Sequence, residues 1–406
     1  MRTRARWGWL LGLPAALVVV PALILVLVEG ASSLLLVLMD LLAFKEPLVA
    51  ERLHTRYDPD LGWASIPNLS IPDMYGPGVY LRTNTVGFRG QRDIPVQVPN
   101  DRVRVVCSGD SFTLGYGVDD DHAWCARLSA RDARFETVNM GQGGYGIDQA
   151  YLWYKRDGAA LDHHVQILAY ITHDFGRMSS TRFLGYGKPI LTLRDGRLEV
   201  GNVPVPPRAF YATWIRQWQA ATRGLRINEV IRRVREWRPR TAGAVPAAWA
   251  ETPEDPVWQL TRAVFVDLVA INRAKGSTLV VVHLPTEDDH QGGRATEWRE
   301  RARAAATDLE FLYVDLVEDF KRLPPGATGT LFIQGDVRDF VRGRGHYSVA
   351  GNEWVADRLF QRLVRLPTIA DRLSRRPAHA PRPAGASSAD GQPRLPERMP
   401  RPGTVR

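Results

Sequence analysis

The strongest constraint on the fold of this chain is a regular alternation of short apolar segments with longer helical ones. The apolar segments are rich in Val, Ile, Leu and Tyr, as buried strands are, and comprise Val103–Cys107, Val165–Thr172, Thr278–Leu284 and Phe311–Leu316. The helical segments comprise Ala123–Arg131, Val257–Lys275, Ala295–Thr307 and Val349–Val364. This alternation predicts a parallel sheet with helices on both faces, in which ligands bind at the carboxyl ends of the strands.

The N-terminus carries a long uncharged segment. It extends from Trp7 to Val28, 22 residues dominated by Leu, Val and Ala, which is long enough to cross a bilayer as a helix. It exceeds the apolar stretch of a cleaved signal peptide, and no clear cleavage site follows it. We therefore expect an uncleaved transmembrane anchor. The three arginines that precede it should stay in the cytoplasm, which places the rest of the chain in the periplasm or outside the cell. A second apolar segment, Leu34 to Phe44, either extends the same helix or lies at the membrane interface.

The formal net charge of +9 does not indicate nucleic-acid binding, because it is concentrated at the two ends. Three arginines lie in the first six residues, and seven lie between Arg375 and Arg406 against two acidic residues. The part between these ends is nearly neutral. The C-terminal segment is rich in Pro, Arg, Ala, Ser and Gly and predicts a disordered tail.

These features divide the chain into four parts with one insertion. The parts are a cytoplasmic stub and anchor at 1–45, a small extension packed on the core at 46–100, the main α/β domain at 101–370 with an insertion at about 176–255, and a tail at 371–406.

A serine follows the first predicted strand directly, in Gly109-Asp110-Ser111-Phe112-Thr113. A serine at this position places its hydroxyl group at the carboxyl edge of the sheet, beside backbone N–H groups that can stabilise an oxyanion. The alternative is that Ser111 only caps a helix, with Gly109 as a turn residue.

Three segments, in order, resemble the conserved blocks of the SGNH (GDSL) hydrolases. Gly109 to Gly115 is similar to the first block, Val138 to Gly146 to the second, and Gly345 to Asn352 to the last. The resemblance implies a flavodoxin-like three-layer α/β/α sandwich with Ser111 as nucleophile and His346 as general base. It also implies an oxyanion hole formed by the N–H groups of Ser111 and Gly144.

The chain departs from the family pattern at two positions. His173 stands where the family has an asparagine that completes the oxyanion hole; an imidazole N–H can also donate, so His173 is a candidate third donor. Gly343 stands where the family has the aspartate that orients the histidine. Asp336, Asp339 or a backbone carbonyl group are the candidates to replace it, the last giving a Ser–His dyad.

The resemblance implies an esterase that forms an acyl-enzyme on an O-acylated glycan or glycolipid at the outer face of the membrane, without a cofactor or metal ion. Two alternatives stay open: an O-acyltransferase that uses the same serine and histidine, and a carbohydrate-binding protein that has lost turnover. The missing asparagine and aspartate motivate the second alternative.

Three further features have more than one interpretation. The extension before the first strand either packs on the core or lines the cleft. The insertion contains Trp214, Trp218 and Trp237, and it forms a core-facing helix, a lid or a helix on the membrane surface. Cys107 and Cys125 form a disulfide or stay as two buried thiols.

Overall fold

The computed structural model of this chain describes residues 4–42, 51–183, 186–206, 225, 227, 230–231, 256–290, 295–334 and 343–374. Trp214, Trp218, Trp237 and the C-terminal tail from Arg375 lie outside the described residues, as do Asp336 and Asp339.

The N-terminal part consists of one long helix and two small antiparallel hairpins. The helix α1 (Arg4–Leu42) has an apolar stretch, Leu17–Leu35, that is long and apolar enough to span a membrane. The helix also includes the second apolar segment as far as Leu42. Of the two interpretations of that segment, the structure therefore has the continuation of the same helix. The short elements that follow are α2 (Glu51–His54), β1 (Thr55–Asp58), β2 (Gly62–Ser65), β3 (Ser70–Ile71) and β4 (Leu81–Arg82), with β1 paired to β2 and β3 to β4.

The core of the protein is a five-stranded sheet in which every neighbouring pair of strands is parallel. The strands are β5 (Val103–Gly109), β6 (Phe135–Gly141), β7 (Val165–Tyr170), β12 (Thr278–His283) and β13 (Leu312–Asp315). Their spatial order is β13-β12-β7-β5-β6. The chain runs from β5 outward to the edge strand β6 and then crosses back past β5 to β7. Because these two connections run in opposite directions, a crevice opens at the carboxyl end of β5.

Successive residues of each strand enter two separate apolar clusters, one on each face of the sheet. Val106, Leu168 and Val281 belong to one cluster, whereas their neighbours Val105 and Ile167 belong to the other. Because side chains alternate along a strand, a sheet buried on both faces needs apolar residues at every position. The inner strands β5, β7 and β12 are accordingly mostly apolar, with buried polar exceptions such as Arg104 and Gln166.

Helices cover both clusters and complete a three-layer α/β/α sandwich. The first face is covered by α5 (Ile147–Arg156), α7 (Pro256–Lys275) and α8 (Ala295–Leu309), and the second by α4 (Trp124–Ala130), α9 (Leu316–Lys321), α11 (Val349–Leu363) and α12 (Pro367–Ser374). The remaining short helices are α3 (Ser111–Leu114), α6 (Asp174–Arg177) and α10 (Pro325–Thr328). The predicted fold class is confirmed.

Each of the four predicted strands and four predicted helices is present, with ends that differ by a few residues. The fifth strand, β6, was not predicted as a strand. Its apolar residues are interrupted by Glu136, Thr137 and Asn139 although the strand is buried, because Glu136 pairs with the buried Arg104 and the amide of Asn139 donates to the carbonyl oxygen of Thr113 at 2.9 Å.

The described start of the insertion forms two hairpins. They comprise β8 (Arg182–Phe183) with β9 (Tyr186–Gly187), and β10 (Ile190–Arg194) with β11 (Arg197–Gly201). An ion pair between Lys188 and Asp148, both side chains fully buried, fastens these hairpins to α5. Farther along the insertion, the backbone N–H of Ile227 donates to a carboxylate oxygen of Glu29 in α1 at 3.2 Å.

We expect Lys188→Met to lower the free energy of unfolding by about 3–5 kcal/mol, because it leaves the carboxylate of Asp148 buried without its cation. Urea unfolding of the full-length protein in detergent micelles measures the change. The matched control is Lys155→Met, which removes a half-exposed ion pair with Asp267 and should cost about 1 kcal/mol or less. Equal losses in the two variants would contradict the importance of the buried pair.

Candidate functional site

Ser111 lies at the carboxyl end of β5, where the strand turns into the four-residue helix α3. Asp110 caps this helix, since its carboxylate accepts a hydrogen bond from the backbone N–H of Phe112 at 2.8 Å. The turn packs tightly on β6: a Cβ atom at Gly141 would lie 2.0 Å from the backbone nitrogen of Leu114. Gly141 therefore permits the backbone approach that holds the serine in place.

His346 approaches Ser111 from a segment 235 residues farther along the chain. The distance from its Nε2 atom to the hydroxyl oxygen of Ser111 is 2.9 Å. The following residue, Tyr347, forms a β-bridge with Phe332, and Ser348 caps α11 by accepting from the N–H of Gly351 at 3.2 Å. These contacts fix the backbone on the C-terminal side of the histidine. The structure thus brings together the two residues that the sequence predicted as nucleophile and base.

Two aromatic rings hold the imidazole ring of His346. Phe112 stacks on it with a centroid distance of 4.9 Å and an interplanar angle of 29°, and Tyr116 contacts it at 4.8 Å. Both residues belong to the segment that carries Ser111. The same segment therefore positions both members of the Ser–His pair.

The environment of His346 favours the neutral imidazole. Burial lowers its pKa to about 4, and the positive charge of Arg177 acts in the same direction, whereas the backbone carbonyl groups of Gly343 and Arg344 raise it. A neutral Nε2 atom can accept the proton of the Ser111 hydroxyl group at pH 7.

The surroundings of the other ring nitrogen of His346, Nδ1, bear on which group orients the ring. The buried Nδ1 atom has no hydrogen-bond partner of standard geometry in this part of the chain. Two of the predicted candidates, Asp336 and Asp339, lie outside the described residues. The carbonyl groups of Gly343 and Arg344 lie close enough to raise the pKa of the ring.

Ser111 and Gly144 both line one cavity. Within the described part of the chain, the backbone N–H group of neither residue donates to another acceptor. Gly144 has a φ of +80°, and a Cβ atom there would lie 2.8 Å from the ring of Phe183, so a side chain would strain the loop in two ways. Two unused donors beside a serine hydroxyl are the elements of an oxyanion hole.

His173 also lines this cavity, at the N-terminal end of α6, and its side chain is exposed. It lies after β7, the strand next to β5, as expected for a residue at this edge of the sheet. Its role as a third oxyanion donor stays a prediction.

The N-terminal extension contributes directly to the site. The indole N–H of Trp63 donates to the carbonyl oxygen of Gly143 at 3.0 Å, and the amide of Gln142 donates to the hydroxyl group of Ser65 at 3.0 Å. Trp63 also lines the cavity, together with His54 and Thr55. The extension therefore both packs on the core and lines the cleft, so the two interpretations of this segment hold together.

The cavity at Ser111 and His346 has a volume of about 380 Å³, within the usual range for small-molecule sites. Aromatic side chains form much of its wall, namely Trp63, Phe112, Tyr116, Phe183 and Tyr186. Charged groups of both signs also line it, namely Arg177, Glu287, Asp288 and Arg344. Such a surface suits a ligand with apolar faces and polar edges.

Among the residues that line the site, Trp63, Tyr116 and Arg177 were not singled out in the sequence. Tyr116 comes directly after Gly115, the last residue of the first motif. Its closeness to Ser111 in the sequence could therefore have predicted its place at the site. Arg177 lies three residues after Asp174, a spacing that places two side chains on one face of a helix. Trp63 had no such signal, because its contacts are with residues about 80 positions away.

Cys107 and Cys125 are two free, fully buried thiols. Burial raises the pKa of the Cys107 thiol, and a hydrogen bond with Cys125 acts in the same direction. The interpretation as two buried thiols therefore describes this structure.

No family model and no curated protein matches this chain. Comparison with solved structures finds a member of the lipolytic protein G-D-S-L family from Veillonella parvula, with 14% identity, 65% of this chain and 100% of the other covered, and a TM-score of 0.36. An acetyl xylan esterase, AlAXEase, has 16% identity over 64% of this chain and 100% of the other, with a TM-score of 0.36. A lipase/acylhydrolase from Enterococcus faecalis has 11% identity over 64% of this chain and 95% of the other, with the same TM-score. Similarity of this extent does not identify a substrate or a catalytic residue, and the roles assigned to residues of this site rest on their own geometry.

We expect the acid limb of kcat/KM to lie near pH 4, because the base must be neutral and burial lowers the pKa of His346 to about 4. Activity should stay constant from pH 7 down to about 5 and fall about tenfold per pH unit below 4. A pH profile with a soluble ester, corrected for unfolding by circular dichroism at each pH, measures it. An acid limb near pH 6.5, the ordinary value for histidine, would contradict this account.

Proposed function

We propose that this protein is a serine ester hydrolase, with Ser111 as nucleophile and His346 as general base. The observation that carries the proposal is the 2.9 Å contact between the Nε2 atom of His346 and the hydroxyl oxygen of Ser111. This contact lies at the carboxyl edge of a parallel sheet, beside two unused backbone donors. A nucleophile, a neutral base and oxyanion donors around one cavity are the groups that acyl transfer requires.

The reaction follows from this arrangement. The hydroxyl oxygen of Ser111 attacks the ester carbonyl carbon while Nε2 of His346 takes its proton. The N–H groups of Ser111 and Gly144, with His173 as a candidate third donor, stabilise the negative charge that develops on the carbonyl oxygen. The imidazolium ion then protonates the leaving alcohol, which departs and leaves an acyl-enzyme. Water, deprotonated by the same imidazole, hydrolyses the acyl-enzyme.

The walls of the cavity support an O-acylated carbohydrate as substrate. Trp63, Tyr116 and Tyr186 contribute aromatic side chains to the wall, and aromatic side chains pack well against the apolar faces of sugar rings. Glu287, Asp288 and Arg344 offer hydrogen-bonding groups for the hydroxyl groups at the edges of those rings.

The position of the anchor supports a substrate at the membrane surface. Between Leu42, where α1 ends, and Glu51 the chain spans nine residue steps, so the two ends lie at most about 30 Å apart. His54 and Thr55, which line the cavity, follow immediately. The cleft is thus tethered close to the end of the membrane-spanning helix. We propose an acylated glycan or glycolipid at the outer face, with the catalytic domain in the periplasm or outside the cell.

Ser111→Ala and His346→Ala should each lower kcat by at least about 10⁴-fold, because each removes a group that acts in every step. Hydrolysis of p-nitrophenyl acetate by the full-length protein in detergent micelles measures the loss. Ser129→Ala and His122→Ala are matched controls and should keep the wild-type rate. Labelling with a fluorophosphonate probe should occur in the wild type and be absent in Ser111→Ala. A folded wild-type protein that does not label would favour a binding protein without turnover.

We expect acetylated sugars to be better substrates than long-chain esters of simple alcohols, because the aromatic wall can bind the sugar ring. Initial rates on acetylated xylose, p-nitrophenyl butyrate and p-nitrophenyl palmitate test this order. A second sugar, added as acceptor at increasing concentration, distinguishes hydrolysis from transfer. For a hydrolase the rate of free acetate release stays constant. For a transferase that rate falls, and the acetylated second sugar appears instead. A preference for the palmitate would contradict the carbohydrate proposal.

A further inference from the structure

The guanidinium group of Arg177 makes contacts that link three separate segments of the site. Its Nη1 atom lies 2.7 Å from the carbonyl oxygen of Tyr145, 2.6 Å from a carboxylate oxygen of Asp174 and 3.4 Å from a carboxylate oxygen of Asp110. The side chain is largely buried and reaches the cavity wall.

Each of the three acceptors belongs to a residue that is adjacent in the sequence to a proposed functional residue. Asp110 precedes the nucleophile Ser111. Tyr145 follows Gly144, the proposed oxyanion donor, and Asp174 follows His173. One cation therefore contacts the three loops that leave β5, β6 and β7, each beside the group that would act on the substrate.

The two carboxylates are themselves fixed by the backbone of these loops. Asp110 accepts from the N–H of Phe112 at 2.8 Å, and Asp174 accepts from the N–H of Ile171 at 3.1 Å. Both side chains are about 1% exposed. Burial raises the pKa of both carboxyl groups, and the charge of Arg177 opposes this shift. A displacement of the guanidinium group would therefore be transmitted to the turns that carry the functional residues.

Two residues at the start of the insertion also contact Arg177, one at its side chain and one at its backbone. The guanidinium carbon atom lies 4.9 Å from the centre of the Phe183 ring, and the backbone carbonyl group of Arg177 accepts from the buried ammonium group of Lys188 at 2.7 Å. These contacts restrain both ends of the arginine.

We propose that Arg177 is a positioning residue that sets the spacing between the nucleophile and the oxyanion donors. This inference rests on the proposed function. All three contacts are made by Nη1. In lysine the terminal nitrogen lies one bond nearer the backbone, at the position of the arginine Cζ atom, so it cannot take the place of Nη1 without a shift of the loops, and it has no planar group to pack on the Phe183 ring. A misplacement of reacting groups by about 1 Å costs up to about 100-fold in rate.

The test compares Arg177→Lys with Arg156→Lys in the full-length protein in detergent micelles. Arg156 is the matched control because it also pairs with more than one carboxylate, Asp58 and Asp157, but does not line the cavity. We expect Arg177→Lys to lower kcat for p-nitrophenyl acetate by about 10- to 100-fold with KM changed less than threefold. Fluorophosphonate labelling should slow by the same factor. Arg156→Lys should keep kcat within twofold.

A second measurement separates positioning from general stability. In Arg177→Ala, added methylguanidinium should restore part of kcat, since it can enter from the cavity and occupy the same contacts, whereas methylammonium should restore none. Recovery of activity without a change in melting temperature supports positioning. Absence of rescue together with a kcat of Arg177→Lys equal to that of the control would overturn the proposal.

The outcomes also distinguish this inference from the proposed function. If the folded wild type neither hydrolyses esters nor labels with the probe, the proposed function fails, and the positioning role fails with it. If the wild type is active and Arg177→Lys is as active as Arg156→Lys, only the positioning role fails. If Arg177→Lys does not fold, Arg177→Gln takes its place. Failure of both variants to fold would assign Arg177 to stability and overturn the proposal.

Discussion

The hydrogen-bond contact between His346 and Ser111 is the interaction on which the proposed chemistry of this protein depends. It joins residues separated by 235 positions, so it exists only when the whole sheet is assembled. Ser111 is fixed by the end of β5 and by the close approach of Gly141. His346 is fixed by the bridge of its neighbour Tyr347 to Phe332 and by the cap of α11. Neither half of the pair has a function in acyl transfer without the other.

The surroundings of this contact combine low polarity with a few fixed charges. Phe112 and Tyr116 enclose the imidazole ring, and burial there keeps it neutral. Arg177 adds a positive charge near the same ring, while Asp110 and Asp174 balance that charge away from the cavity. A neutral base beside preorganised donors is suited to a reaction in which negative charge develops on a carbonyl oxygen.

The N-terminal extension links α1, which is long and apolar enough to span a membrane, to the carboxyl edge of the sheet. Trp63 contacts the loop that carries Gly144, and His54 and Thr55, which line the cavity, lie 12 and 13 residues after the end of α1. The extension therefore forms part of the cavity wall and also supports the loop. Only a short stretch of chain separates α1 from the cavity.

The sequence by itself determined the class of fold and the two residues of the Ser–His pair. The apolar runs of the inner strands report burial on both faces, and the motifs around Ser111 and His346 report local backbone geometry, which depends on neighbouring residues. The tertiary structure alone decided the edge strand β6, whose polar residues interrupt the apolar pattern and are buried because residues of other segments pair with them. It alone also revealed the contacts of Arg177 and Trp63, because they join segments that are distant in the chain, and no local pattern encodes which loops meet.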